Sequence, residues 1–116
     1  MVSDDVRREL QRLARSKDTR TNKFDPRRPT HWAPYEVRKP GSGDTFTAES
    51  AWEFVADLLD GGVEIETIEL DKPPGKTGYV IKVDGFGGDQ IYIKLQLGSG
   101  MVIGRSFHAS KYEDKR

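Results

Sequence analysis

Hydrophobic and polar positions alternate most clearly in the last third of the chain. Three segments there show the pattern, GYVIKVDG, QIYIKLQLG and MVIGRSFH, and Gly-rich turns separate them. Successive side chains of a strand point to opposite faces, so one face can be buried while the other stays polar. The pattern therefore predicts three consecutive antiparallel strands within residues 78–108. Residues 63–70 are rich in β-branched residues that alternate with glutamates, which predicts one more strand before them.

Helical spacing of apolar residues occurs in two places. Residues 3–15 begin at a capping serine, and their apolar stripe is so thin that this helix must dock on another element. Residues 47–60 have a broad apolar face and end at two glycines, although Thr47 followed by Ser50 lacks the full capping box. We predict an α+β fold, with a main helix packed on a four-stranded antiparallel sheet and an additional N-terminal helix.

The chain divides into three predicted parts. Residues 1–46 form an N-terminal helix and a long basic and aromatic loop, residues 47–110 an α+β core domain, and residues 111–116 a charged tail. The loop lacks periodicity and contains prolines at positions 26, 29, 34 and 40. Interleaved basic and aromatic residues are typical of a grip on single-stranded nucleic acid, but we favour the other interpretation, that the aromatic residues fix the loop onto the core. The residues concerned are Lys23, Arg27, Arg28, His31, Trp32 and Tyr35.

Composition excludes several kinds of site. The 116 residues are 34% hydrophobic and 33% charged, so the core must be small, and there is no cysteine for a disulfide or a thiolate metal site. The two histidines, His31 and His108, cannot build a zinc site without carboxylates. We expect neither a metal nor a cofactor. No signal peptide or membrane-length apolar run is visible, which predicts a cytoplasmic protein with no membrane partner.

Charges are segregated along the chain although they sum to zero. Residues 1–40 hold eleven Lys/Arg against six Asp/Glu, and residues 41–70 hold eight Asp/Glu and no Lys/Arg. Residues 71–116 are basic again, with eight Lys/Arg against five Asp/Glu. Such banding suits a basic side for a polyanion and an acidic side turned away from it, but ordinary solvated helix and strand faces also produce it.

A row of polar side chains falls on one face of the predicted strands. A three-residue loop at residues 98–100 would pair Lys94 with Gly104, whose missing side chain would leave room for a ligand. Arg105 would then fall on the apolar side, unless a bulge re-aimed it. An ordinary solvated face without chemistry is the alternative. The face would consist of Lys82, Tyr92, Lys94, Gln96, Ser106 and His108.

Residues 75–77, Gly-Lys-Thr, invite comparison with a phosphate-binding P-loop. The first glycine of that motif is missing and a strand follows instead of a helix, so the motif does not match. Lys76 is left as a simple cation that can contact a phosphate.

The stretch IYIKLQLGSGMVIGRSFH, together with the order of elements, resembles the small toxins of bacterial toxin–antitoxin systems, the messenger-RNA interferases of the RelE and MqsR type. The likeness covers about residues 47–110. It implies an endoribonuclease that cuts RNA without a metal, with messenger RNA and an antitoxin protein as partners. It matches Lys94 with the strand lysine of the group, Arg105 with the last-strand cation and Ser106-Phe107 with the terminal motif. His108 is an addition to many such toxins.

The reaction implied is attack of the ribose 2′-OH on the adjacent phosphate, which yields a cyclic phosphate and a free 5′-OH. His108 is the candidate base or acid, because the ordinary pKa of imidazole lies near neutral pH. Lys94 and Arg105 would stabilise the charge of the transition state. The remaining candidates would bind RNA, with Tyr92 stacking on a base. They are Lys76, Lys82, Tyr92 and Ser106.

Two readings without catalysis stay open. The basic sheet face would serve equally well in a module that only binds nucleic acid or protein, and the acidic middle block would receive a basic partner such as an inhibitor. The N-terminal helix, with Val6 and Leu10, would alternatively mediate assembly of a structural protein.

Overall fold

Two helices and a mixed six-stranded sheet make up the fold. The computed structural model describes residues 2–22, 31–70, 75–98 and 100–111. The strand order is β1-β6-β5-β4-β3, and β2 also pairs with β6. The elements are α1 (Asp4–Arg15), β1 (Arg20–Thr21), β2 (His31–Trp32), a 3-10 turn (Pro34–Glu36), α2 (Ala48–Asp60), β3 (Glu66–Glu69), β4 (Thr77–Asp84), β5 (Asp89–Gly98) and β6 (Met101–Lys111).

Both predicted helices are present, and side chains close their N-termini. Ser3 caps α1 by accepting a hydrogen bond from the backbone N–H of Val6. At α2, Thr47 and Ser50 form a reciprocal capping box, with the Thr47 N–H donating to Ser50 Oγ at 2.8 Å and the Ser50 N–H to Thr47 Oγ1 at 3.0 Å. The expectation of an incomplete box was therefore wrong. The short hydroxyl of Ser50 performs the task that glutamate usually performs at this position.

Helix α1 docks on α2, as its thin apolar stripe requires. Leu10 and Leu13 are buried in the same apolar cluster as Val55 and Leu59 of α2. Polar side chains of α1 reach the last turn of α2, where backbone carbonyls lack partners within the helix. Gln11 Nε2 donates to the carbonyl of Leu59 at 3.0 Å, and Arg7 donates to the same carbonyl. The first segment of the chain is thus part of the main core.

The sheet is larger than predicted. Strands β3 to β6 form the expected antiparallel meander, but β1 and β2 add to the outer edge of β6 in parallel orientation. A four-stranded antiparallel sheet was therefore only partly right. Each added strand is two residues long, too short to show a hydrophobic period, and each pairs with a long strand whose edge would otherwise lack partners.

The hairpin between β5 and β6 differs from its predicted register in two ways that nearly cancel. Gly98 pairs with Met101, so the connection is one residue shorter than expected. A bulge then places Arg105 as an extra residue, between the pairs Leu95–Gly104 and Lys94–Ser106. The first offset exchanges the faces of residues 101–104 relative to the prediction, and the bulge restores the predicted face from Ser106 onward.

The inner face of the sheet packs on the helices. Ile81, Ile93 and Phe107 are fully buried there. Trp32 joins them, with its ring stacked on Trp52 at 4.8 Å between centroids and edge-on to Phe107 at 5.3 Å. Among the described helices, none is both long and apolar enough to cross a membrane.

Gly104 lies on this inner face, beneath the Trp32 ring. A Cβ atom at Gly104 would come within 2.6 Å of two carbons of the indole. The expectation that Gly104 leaves room for a ligand was therefore wrong, because Trp32 already fills the space.

Candidate functional site on the open face of the sheet

We call the side of the sheet away from the helices the open face. Its side chains form rows that run across the strands, because residues paired in a sheet point to the same side. One row joins Lys94 of β5, Ser106 of β6 and His31 of β2. The next row joins Lys82 of β4 with Tyr92 and His108. Lys94, Ser106 and His108 therefore share one face, as predicted, although their partners across the hairpin differ from the predicted ones.

The bulge brings Arg105 to the open face. Arg105 Nη1 donates to Gln96 Oε1 at 2.6 Å, and Gln96 lies on the open face by its alternation with Leu95. Gln96 is itself buried, so this charge-assisted hydrogen bond is shielded from water. A guanidinium held in this way is oriented before any ligand arrives. Simple alternation would have placed Arg105 on the apolar side, and the bulge named as the alternative is present and brings it to the open face instead.

Tyr92 and His108 stack face to face. Their ring centroids lie 5.1 Å apart and their planes differ by 18°. Partial burial lowers the pKa of His108, and the positive charges of His31 and Lys94 lower it further, while a backbone hydrogen bond at Ala109 opposes them. The environment therefore favours the neutral imidazole, the form that accepts a proton.

His31 is the residue that sequence reasoning left out of the site. It pairs with Ser106 in the parallel β2–β6 ladder and is exposed. Its neighbour Trp32 is buried on the inner face, so His31 points to the open face. The register places His31 beside Ser106, two residues before His108 on β6, so its charge also lowers the pKa of His108. In the sequence, the only sign of this strand is that the polar residue His31 is followed by the aromatic residue Trp32, and two residues are too few to reveal a strand.

The predicted RNA-binding residues are not all brought together. Tyr92 lies in the site, where its ring contacts His108. Ser106 occupies the centre of the row but is only 3% exposed, so neighbouring side chains dominate the accessible surface. Lys82 stands beside Tyr92, and its Nζ lies 3.4 Å from a carboxylate oxygen of Glu66. Their roles in binding stay predictions.

Lys76 lies far from the histidines. It immediately precedes β4, next to the small hollow beside β3, and is exposed. Lys82, which lies in β4 in the same row as His108, comes six residues after Lys76 in the sequence. At about 3.3 Å per residue the two lysines are separated by roughly 20 Å. Lys76 can touch only a distant part of a long ligand.

The loop residues have different positions. Trp32 anchors its segment in the core, as favoured above, whereas Tyr35 is 66% exposed and does not. Lys23, Arg27 and Arg28 lie outside the described residues, as do the predicted turn at 71–74 and residues 112–116 of the charged tail.

The open face is electrically uneven. Its β5–β6–β2 side carries Lys94, Arg105 and the two histidines, and its β3 side carries Glu66. In the parts of the chain that the structure describes, no three His, Asp or Glu side chains are grouped so as to hold a metal ion. The basic half is suited to an anion that several cations approach from one side.

Comparison with protein-family models, with curated proteins and with solved structures finds no match for this chain.

Proposed function

We propose that the protein is a metal-independent endoribonuclease of the messenger-RNA interferase kind, with its site on the basic half of the open face. The observation that carries the proposal is the clustering of Lys94, Arg105 and His108 on neighbouring strands of one sheet face, where all three are partly exposed. Paired residues have Cβ atoms about 5 Å apart, and successive rows of one face lie about 6.6 Å apart, so long side chains on adjacent rows can engage one phosphodiester together.

Each group has a role that follows from its environment. Neutral His108 takes the proton from the ribose 2′-OH, since its surroundings lower its pKa and its ring is held by Tyr92. The 2′ oxygen then bonds to phosphorus while the bond to the 5′ oxygen breaks, and the departing 5′ oxygen takes up a proton. Lys94 and Arg105 stabilise the negative charge that grows on the phosphoryl oxygens, and Gln96 keeps the guanidinium in place. The products are a 2′,3′-cyclic phosphate and a 5′-OH.

The experiment is cleavage of end-labelled RNA by the purified protein in the presence of a chelator. We expect cleavage to persist with chelator and to leave cyclic phosphate ends. His108→Gln should lower the rate roughly 10²- to 10⁴-fold, and Lys94→Ala roughly 10²- to 10³-fold. Lys17→Ala is the matched control, because it removes one exposed cation, paired with Glu49, on the helix side of the molecule.

Binding of the same RNA, measured by fluorescence anisotropy, separates the alternatives. Tight binding by the wild type without any cleavage would favour the non-catalytic module and refute the nuclease. Absence of both binding and cleavage would refute every use of the basic face for RNA. An RNA with 2′-deoxyribose at the cut position should bind but resist cleavage, since the nucleophile is missing.

The toxin aspect of the proposal has a separate test. Expression in bacteria should arrest growth for the wild type and not for His108→Gln, and co-expression of a neutralising partner protein should restore growth. Normal growth with active wild-type nuclease present in the cells would contradict the assignment as a toxin while leaving the RNase chemistry intact.

A further inference from the structure

Cleavage of RNA by this route needs two proton transfers, one from the 2′-OH and one to the departing 5′ oxygen. The proposed function supplies one group near neutral pH, His108. We infer that His31 is the second catalytic residue, the general acid that protonates the 5′ oxygen. This inference rests on the proposed function and adds a residue that the sequence placed in a loop.

The position of His31 carries the inference. Its strand pairs with β6 so that His31 lies beside Ser106, and His108 is two residues further along β6. With strands about 4.8 Å apart and about 3.3 Å per residue, the Cα atoms of the two histidines are roughly 8 Å apart. Two imidazoles at this spacing can approach opposite sides of one phosphate group.

The row geometry places a cation opposite His31, on the other side of Ser106. Lys94 pairs with Ser106, which in turn pairs with His31. Ser106 is only 3% exposed, so the side chains around it form the surface at this point, and Lys94, His31 and His108 are its neighbours on the open face. A phosphate above Ser106 would meet the ammonium of Lys94 and the rings of both histidines.

The two imidazoles differ in a way that assigns their roles. His108 is partly buried and packed against Tyr92, so its neutral form is favoured. His31 is exposed to solvent. A protonated His31 also disfavours a second positive charge on His108. His108 is therefore the base, which leaves the role of the acid to His31.

The neighbouring core anchors the backbone that follows His31. The backbone N–H of Ala33 donates to the carbonyl of Phe107 at 3.0 Å, which extends the β2–β6 ladder beyond Trp32. Trp32 itself is held between Trp52 and Phe107. The two residues that follow His31 in the chain, Trp32 and Ala33, are thus anchored.

The test compares two RNAs of one sequence that differ at a single atom. In the first, the bridging 5′ atom at the cut position is oxygen, which must be protonated as it leaves. In the second it is sulfur, which leaves as a thiolate without a proton. If His31 is the acid, His31→Ala should cut the oxygen substrate roughly 10²- to 10⁴-fold more slowly than the wild type. The same variant should cut the sulfur substrate within about tenfold of the wild-type rate.

The controls distinguish a catalytic role of His31 from a structural one. They also distinguish failure of this inference from failure of the proposed function. His108→Gln should be slow on both substrates, and Glu36→Gln, an exposed residue of the same segment, should be normal on both. Circular dichroism and urea unfolding of His31→Ala and His31→Gln check that the fold is retained. Equal loss on both substrates, or no loss on either, would overturn the role of His31 while nuclease activity in the wild type stands. A wild type that cuts neither RNA would overturn the proposed function and this inference with it.

Discussion

Replacing Gly104 by alanine is expected to destabilise the protein, because Trp32 already occupies the space that a methyl group needs. The new Cβ would lie 2.6 Å from two indole carbons and 2.9 Å from a third, where ordinary contact begins at about 3.4 Å. The indole cannot retreat easily, because it is stacked on Trp52 and meets Phe107 edge-on. Overpacking of this kind costs about 1–3 kcal/mol.

The net expected loss is smaller than the clash alone. Alanine restricts the unfolded chain more than glycine does, which contributes about 0.4–1 kcal/mol of stability where the backbone allows it. We therefore expect Gly104→Ala to lower the free energy of unfolding by about 1–2 kcal/mol. Urea unfolding followed by tryptophan fluorescence measures this difference, with the slope against urea unchanged between variants.

Gly98→Ala is the matched control for the same hairpin. Its Cβ would meet Ile103 Cδ1 at 3.5 Å, an ordinary contact, so we expect no loss of stability. In a Trp32→Phe background the shorter ring withdraws from Gly104, and the cost of Gly104→Ala should fall by at least half. Equal stability of Gly104→Ala and Gly98→Ala, or an undiminished cost in the Trp32→Phe background, would refute the steric explanation.

Two further predictions concern the open face. The folded state holds the pKa of His108 below its unfolded value of about 6.5, through burial and through the charges of His31 and Lys94. The corresponding stability is present above that unfolded value and is lost as pH falls towards the folded pKa. Between pH 7 and 5 the wild type should lose more unfolding free energy than His108→Gln, and equal losses in urea titrations would contradict this. Gln96→Leu removes the acceptor of the Arg105 guanidinium and should cost about 1–3 kcal/mol in the same assay, whereas Gln96→Glu, which keeps an acceptor, should cost less. A stability of Gln96→Leu equal to that of the wild type would show that the hydrogen bond contributes nothing.

Long elements were predictable from sequence because their patterns repeat. The helix at residues 48–60 and strands β4 and β5 each contain several periods of apolar residues, and the structure has them where expected. The strands β1 and β2 have two residues each, too few to show a repeating pattern of apolar residues. They form because the edge of β6 offers backbone partners, which is a property of the assembled sheet and not of residues 20–21 or 31–32.

The candidate site was predictable in part for the same reason. Lys94 and Tyr92 lie in the middle of a ten-residue alternating strand, so their shared face could be read directly. Alternation alone did not place Arg105 and Gly104, because a bulge shifts the register at Arg105 and the ring of the distant residue Trp32 lies against Gly104. His31 reaches the site through a parallel strand contact with a residue 75 positions later in the chain, and no local pattern encodes such a contact.

The two short strands on β6 have a consequence for changes in chain length. Thr21 is held against Ile103 and His31 against Ser106, so two points only three residues apart on β6 tether the interval between them. Doubling the length of such an interval raises its closure cost by only about 0.6 kcal/mol. Insertions between these tethers should therefore be tolerated with His31 still in place, which makes the interval a natural point for grafting an epitope or a reporter peptide.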